Sequence, residues 1–235
     1  MKEYLSPQGE ARQQFHEKLR DLELNIQGMG AAVQDLLELA LKGLAENRPD
    51  LYSAVIEGDD EVDSYYLEIE QSIVDLFALQ TPVATDLRFL TVILHVNLHL
   101  ERVADMAVNM AKIGALAKHL PRSDSVLAHI AEMGEISLKM LAAAMVALAE
   151  RDLERCLELP RMDDPIDRLN RGMLQEVLDF AKDEQLLEWG IRMHVVSRQI
   201  ERIGDHAVDI GEQVAFLVTG EFREFTDASH PEGLP

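Results

Sequence analysis

The 235 residues carry 43 acids against 22 Lys plus Arg, a formal charge of −21 at neutral pH, with 5% aromatics and a single cysteine. Such a balance repels nucleic acid and anionic membrane surfaces, and it repels free phosphate unless a cation or a local basic pocket intervenes. Cys156 by itself excludes an intramolecular disulfide or a cysteine-rich zinc site, and it fits a reducing compartment.

No segment reaches the roughly 18 uncharged apolar residues of a membrane span, and the best run, Phe89 to Leu100, is shorter. The opening MKEYLSPQGEARQQF has no apolar signal core, so a soluble, cytoplasmic protein without membrane insertion is expected. Ser6-Pro7 reads as a cap followed by proline at the first helical position. It opens a helix near 8–46 in which Ile26, Met29, Val33, Leu36, Leu37, Ala40 and Leu44 recur at helical spacing. Pro49 marks a break before a second helix near 50–78. Thr81-Pro82 repeats the cap-and-proline signal before a third near 83–118. Beyond Pro121, Ser123 caps a fourth near 124–150, and Asp152 caps a fifth near 152–181, with Pro160 as a further break. A sixth runs near 185–220. The tail from Glu221, with His230-Pro231 and Gly233, reads as unstructured.

These six long helices come in two copies. At a shift of 104, Ile26, Met29, Gly30, Leu37, Ala40, Leu44, Ala45 and Glu46 meet identical residues, and Asp59, Asp60 and Asp63 meet Asp163, Asp164 and Asp167. At a shift of 100, Glu101, Arg102, Asp105, Ala107 and Val108 meet Glu201, Arg202, Asp205, Ala207 and Val208. The expected architecture is all-α, a tandem repeat of a three-helix bundle. It divides into 1–120, 121–220 and a flexible 221–235.

Each copy holds two acid pairs at i, i+4 spacing, which places both carboxylates on one helix face. They are Asp59/Asp63 with Glu101/Asp105, and Asp163/Asp167 with Glu201/Asp205. In an antiparallel hairpin, residues equidistant from the turn lie level. Both first-copy pairings centre on Pro82, and both second-copy pairings centre on Glu184, at the Lys182-Asp183-Glu184 break. Helices pack about 8–10 Å apart, within reach of acids from both sides. Like charges about 4 Å apart repel by roughly 1 kcal/mol even in water, so a convergent set calls for a cation. An all-oxygen set suits Mg, Mn or Ca, and Fe tolerates it. Asn109 and Asp209, one turn on, are further candidates, and Asp60 and Asp164 are weaker neighbours.

The plainer reading is ordinary ion pairing, with Arg102 three residues from Asp105 and Arg202 three from Asp205. His95, His99, His194 and His206 are more simply core or surface residues than ligands, and Trp189 and the methionines are packing. There is no phosphate-binding Gly-Lys-Ser/Thr loop, no His-Glu-x-x-His, no nucleophile elbow, and no Glu-x-x-His of the di-iron bundles.

The run Leu87-Arg88 followed by Leu100-Glu101-Arg102-x-x-Asp105-x-Ala107-x-Asn109 resembles the PhoU family, regulators of bacterial phosphate uptake. So do Ile200-Glu201-Arg202-Ile203-Gly204-Asp205-x-Ala207-x-Asp209 and the preceding Gln80-Thr81-Pro82-x-Ala84-x-Asp86-Leu87-Arg88. The resemblance covers about residues 10–220 and implies two similar three-helix bundles joined end to end. It also implies multinuclear iron or zinc clusters on Asp59, Asp63, Glu101, Asp105, Asp163, Asp167, Glu201 and Asp205. It further implies a homodimer and a negative regulator of the phosphate-starvation response, bridging the phosphate transporter's ATPase and a membrane sensor histidine kinase. Two other readings stand beside a non-enzymatic adaptor: a carboxylate-cluster metalloenzyme and a plain helical scaffold with solvated acids. One departure concerns Pro165, where the first copy has Glu61. Interior proline costs a helix roughly 3 kcal/mol, which predicts a kinked fifth helix, or one that starts here capped by Asp163 or Asp164. Either would carry Asp163 out of line.

Overall fold

A computed structural model describes residues 7–79 and 82–225, with side chains described from Arg12 onward except at Leu79. Six helices account for nearly all of it: α1 (Pro7–Glu46), α2 (Pro49–Leu79), α3 (Thr85–Ala117), α4 (Asp124–Glu150), α5 (Leu153–Leu178) and α6 (Glu184–Thr219). Among the described residues there are no strands. The all-α class and the six helices of the repeat are as the periodicity predicts.

Caps explain most of the boundaries. The Ser123 and Asp152 side chains accept from the N–H groups of Val126 and Arg155, and Asp183 accepts from Gln185 and Leu186. At the other ends, α4 closes on Arg151 and α6 on Gly220, both left-handed with φ of 57° and 76°. That conformation costs a non-glycine residue about 1–2 kcal/mol. Arg151 is held in it by stacking its guanidinium over the Phe89 ring and donating to Glu23 Oε1 at 2.6 Å.

Several expectations change. Pro82 is not the first turn of α3: the helix begins at Thr85, because Ala84 takes a φ of 46° that breaks the helical path. The caps proposed at Ser6 and Thr81 lie outside the described residues. Neither Pro160 nor Pro165 breaks or starts a helix, since α5 runs through both. The carbonyl of Cys156, which Pro160 has no N–H to bond, faces Gly211 of α6. The lost bonds are offset by the burial of Cys156, Leu159, Ile166, Asn170, Met173 and Val177. Burial also pushes the Cys156 thiol up to about 11, so it stays protonated and inert. Finally, residues 221–225 are not free: Phe222 stacks on Phe216, and the Phe225 N–H donates to Glu212 Oε1 at 2.6 Å. His230, Pro231 and Gly233 lie outside the described residues.

The two three-helix units, α1–α3 and α4–α6, pack flank to flank rather than end to end. Along α3 and α6, Arg88 meets the Leu217 carbonyl and His99 meets His206, so the helices run antiparallel over most of their length. Between α1 and α4 the contacts are related by the repeat itself. Gly30 faces Met145, and at the shift of 104 Gly134 faces Leu41. A Cβ on either glycine would collide with its partner side chain, so these two positions let α1 and α4 approach closely. One hydrophobic core, drawn from all six helices, joins the units.

Candidate metal sites on the paired hairpins

Each hairpin of the repeat, α2–α3 and α5–α6, is pinned by a buried polar contact beside its acids. Asn97 Nδ2 donates to the Tyr66 carbonyl at 3.1 Å, and Ser197 Oγ donates to Asn170 Oδ1 at 3.0 Å. These contacts occupy equivalent positions in the two copies, and they set α2 against α3 and α5 against α6 at the level that the turn-centred pairing predicts. The acids follow one turn along.

In the α2–α3 hairpin the four acids share one electrostatic field. Burial, then Asp63 and Asp105, hold the Asp59 carboxyl above its usual range, and Lys112 partly opposes them. Burial also raises Glu101, with Asp105 the next cause, Arg102 opposing, and Asp63 and Asp59 adding. Glu101 is 23% exposed and Asp105 48%; Asp59 is half-buried and Asp63 is exposed. Arg102 lies between the two α3 acids, 3.3 Å from each, yet Glu101 Oε2 is buried with no hydrogen-bond partner. The predicted Arg102–Asp105 pair therefore forms, and Arg102 Nε also pairs with Glu101 Oε2 without hydrogen-bonding it.

In the α5–α6 hairpin, Glu201 is 14% exposed and Arg198 donates to its Oε1 at 2.6 Å, leaving Oε2 buried and without a hydrogen bond. Burial first, then Asp205, raise its carboxyl, with Asp167 adding. Asp205 keeps contact with solvent but is raised by the protein packed around it, then by Asp167 and Asp209. The expected Arg202–Asp205 pair is absent among the described residues; Arg198, which has no counterpart in the first copy, pairs with Glu201 instead. Asp163 stays in line despite Pro165. Its Oδ1 lies over Gly204 of α6, where a Cβ would collide with it. It lines a cavity of about 230 Å³ with Pro160, Asp205, Val208, Asp209, Glu212 and Phe225.

Both hairpins fit a hard cation on chemical grounds: carboxylate donors, one buried oxygen without a hydrogen bond in each, and a field that disfavours charge in every acid whose titration shifts. The oxygens themselves stand apart. Among the described residues, only His99, His206 and Asp209 bring three donor atoms within 4.8 Å of one another. Of the two further candidates, Asn109 is exposed on α3, and Asp209 turns its Oδ2 toward these histidines, 3.5 Å from each Nδ1. Burial lowers His99, as the nearby His206 and His95 do, against the pull of Asp209. Single-residue reasoning missed this meeting, because each histidine alone looks like packing.

A sequence model of the PhoU domain matches residues 26–114 and again 130–214, so it takes in both hairpins and their acids. The chain belongs to the PhoU family. Among its curated relatives, the phosphate-specific transport system accessory protein PhoU homolog of Synechocystis is 31% identical over 211 residues, 89% of this chain and 93% of that one. The PhoU protein of Escherichia coli is 27% identical over 209 residues, 88% and 86% of the two chains. The crystal structure of PhoU from Pseudomonas aeruginosa superposes with a TM-score of 0.84 at 27% identity, covering 88% of this chain and all of that one. That of the phosphate transport system regulatory protein PhoU from Streptococcus pneumoniae gives 0.82 at 27% identity, covering 89% and 99%. The PhoU fold accounts for the doubled bundle, and none of the described helices is long and apolar enough to cross a membrane.

Proposed function

We propose that this PhoU-family chain is a non-enzymatic, cytoplasmic accessory protein of phosphate transport. In this reading it acts as a negative regulator of phosphate uptake and of the phosphate-starvation response, by contacting the transporter's ATPase subunit and a membrane sensor histidine kinase. The supporting observation is the coverage of the match: both copies of the domain align with proteins named as accessory or regulatory to phosphate transport, end to end with the solved ones. Chemistry agrees. With −21 of net charge, the protein is poorly suited to hold free phosphate and better suited to read the state of protein partners.

The metal belongs to the same reading. Asp59, Asp63, Glu101 and Asp105 would hold ions between α2 and α3; Asp163, Asp167, Glu201 and Asp205 would do so between α5 and α6. Fe or Zn follows from the family, and the oxygen donors also suit Mg, Mn or Ca. Bound cations would supply charge neutralisation, turning repulsive hairpins into clamped ones. Leu94 and Leu98, apolar yet about 40% exposed on α3, are consistent with a homodimer.

The test is a chromosomal deletion scored by phosphate-starvation reporter output in phosphate-replete medium. Derepression, reversed by the wild-type chain, supports the regulator. Unchanged output, together with no binding to the transporter ATPase or to the kinase, removes the proposal. Sedimentation showing only monomer at micromolar concentration would remove the dimer.

A further inference from the structure

Where the two units meet, α3 and α6 bring together three donors outside the eight paired acids, although Asp209 also lines the cavity beside Asp163 and Asp205. His99 Nδ1 and His206 Nδ1 lie 3.0 Å apart, and Asp209 Oδ2 is 3.5 Å from each. The rings are tilted 54° to each other with centroids 5.2 Å apart, so they do not stack face to face, and the three donor atoms form a compact triangle. Both histidines are only 17% exposed, and Asp209 is 44% exposed, which gives the triangle a protected floor and an open edge.

A tetrahedral zinc site with metal–nitrogen bonds of about 2.0–2.1 Å has donor-to-donor edges of about 3.3 Å. The triangle of 3.0, 3.5 and 3.5 Å straddles that value. Two imidazoles and one carboxylate are a borderline donor set, suited to Zn²⁺ or a neighbouring first-row dication rather than to Mg²⁺ or Ca²⁺.

The set is also asymmetric. At the repeat shift of 100, the counterparts of His99, His206 and Asp209 are Gln199, Met106 and Asn109, which do not repeat the two-histidine, one-carboxylate set. Duplication of the hairpin therefore does not explain it. The donors lie on different units, His99 on α3 and the other two on α6, so an ion there would join them.

We infer that His99, His206 and Asp209 form a third, independent metal site, selective for Zn²⁺-like dications, that clasps α3 of the first unit to α6 of the second. Three protein ligands leave a fourth position toward the exposed edge, open to water or an exogenous anion. The site shares none of the eight paired acids, and Asp209 is its one neighbour of the second hairpin's Asp205.

The test uses the tag-free full-length protein, stripped of metal and reloaded with one equivalent of Cu²⁺ or Zn²⁺. Pulsed electron paramagnetic resonance of the Cu²⁺ form should count two coordinated imidazoles in the wild type and one in His99→Gln or His206→Gln. Zn²⁺ affinity at this site should fall more than about tenfold in each variant. It should stay unchanged in Asp63→Asn and Asp167→Asn, which alter only the acid hairpins. A wild-type spectrum with fewer than two coordinated imidazoles overturns the site without any variant having to fold. Zn²⁺ affinity equal in the wild type and both folded histidine variants overturns it as well, and leaves an ordinary histidine–histidine hydrogen bond.

Discussion

In the α2–α3 hairpin, Asp59 feels Asp63 along its own helix and Asp105 across the hairpin, Glu101 feels both α2 acids, and Arg102 sits between the two α3 acids. In the α5–α6 hairpin, Asp163 lies over Gly204, where the first copy has Ala104, and Arg198 takes over the neutralising role by binding one oxygen of Glu201. The same acids are thus kept on different supports. Glycine opens room for Asp163 that alanine closes to Asp59, and the arginine has moved from beyond the glutamate to before it. What both copies preserve is one deep glutamate with a buried oxygen that makes no hydrogen bond, although in the first copy Arg102 Nε stands 3.3 Å from it as an ion pair. The supports differ, and a buried glutamate oxygen without a hydrogen bond is common to both copies.

Perturbing one copy at a time sharpens this contrast, and the largest effects should come from the shared core. Leu100→Ala and Ile200→Ala remove fully buried side chains next to each glutamate and should each cost about 2–5 kcal/mol by chemical denaturation. If only one did, the copies would not be equally load-carrying in one core.

Next come the glutamates. A carboxyl raised on folding binds its proton more tightly in the native state, so its destabilising charge appears as pH climbs from the unfolded value through the folded one. Both Glu101 and Glu201 are raised, chiefly by burial. Metal-free Glu101→Gln and Glu201→Gln should therefore melt higher than wild type at pH 7, by about 2–4 °C for each kcal/mol of repulsion relieved. The advantage should vanish below about pH 4, where an ordinary glutamate is already protonated. Melting curves across pH that show no such crossover would mean the acids are solvated.

A smaller effect should separate the two supports. Gly204→Ala gains up to about 1 kcal/mol of helix propensity but collides with Asp163, so it should gain less than that and weaken metal loading in the second hairpin only. Smallest of all, Arg102→Ala removes half-exposed pairs worth about 0–1 kcal/mol, and Arg202→Ala, with no pair among the described residues, should be silent in thermal melts.

Much of this was legible in the chain. Apolar periodicity, the caps Ser123 and Asp152 and the break at Lys182-Asp183-Glu184 place all six helices within a few residues, and the turn-centred arithmetic sets the register of each hairpin. Where the sequence misled, a local rule met tertiary packing. Pro160 and Pro165 look like breaks, but α5 keeps its helical path because its apolar face is buried against α4 and α6. Pro82 looks like a first helical residue, but Ala84 turns away before Thr85. Hidden altogether was the contact between units. Nothing in the spacing of His99 and His206 says that α3 and α6 run antiparallel at that register, and only the packing of whole bundles decides it.

The most direct measurement is the metal content of protein purified without chelator or affinity-column metal, for the wild type, Asp105→Ala, Asp205→Ala and the double variant. Two or more ions per chain in the wild type are expected, part lost in each single variant, with at most the one histidine-bound ion left in the double. Equal stoichiometry in all four, or wild-type protein that refuses added Fe, Zn, Mn or Mg, would contradict the claim that the doubled acids exist to hold ions.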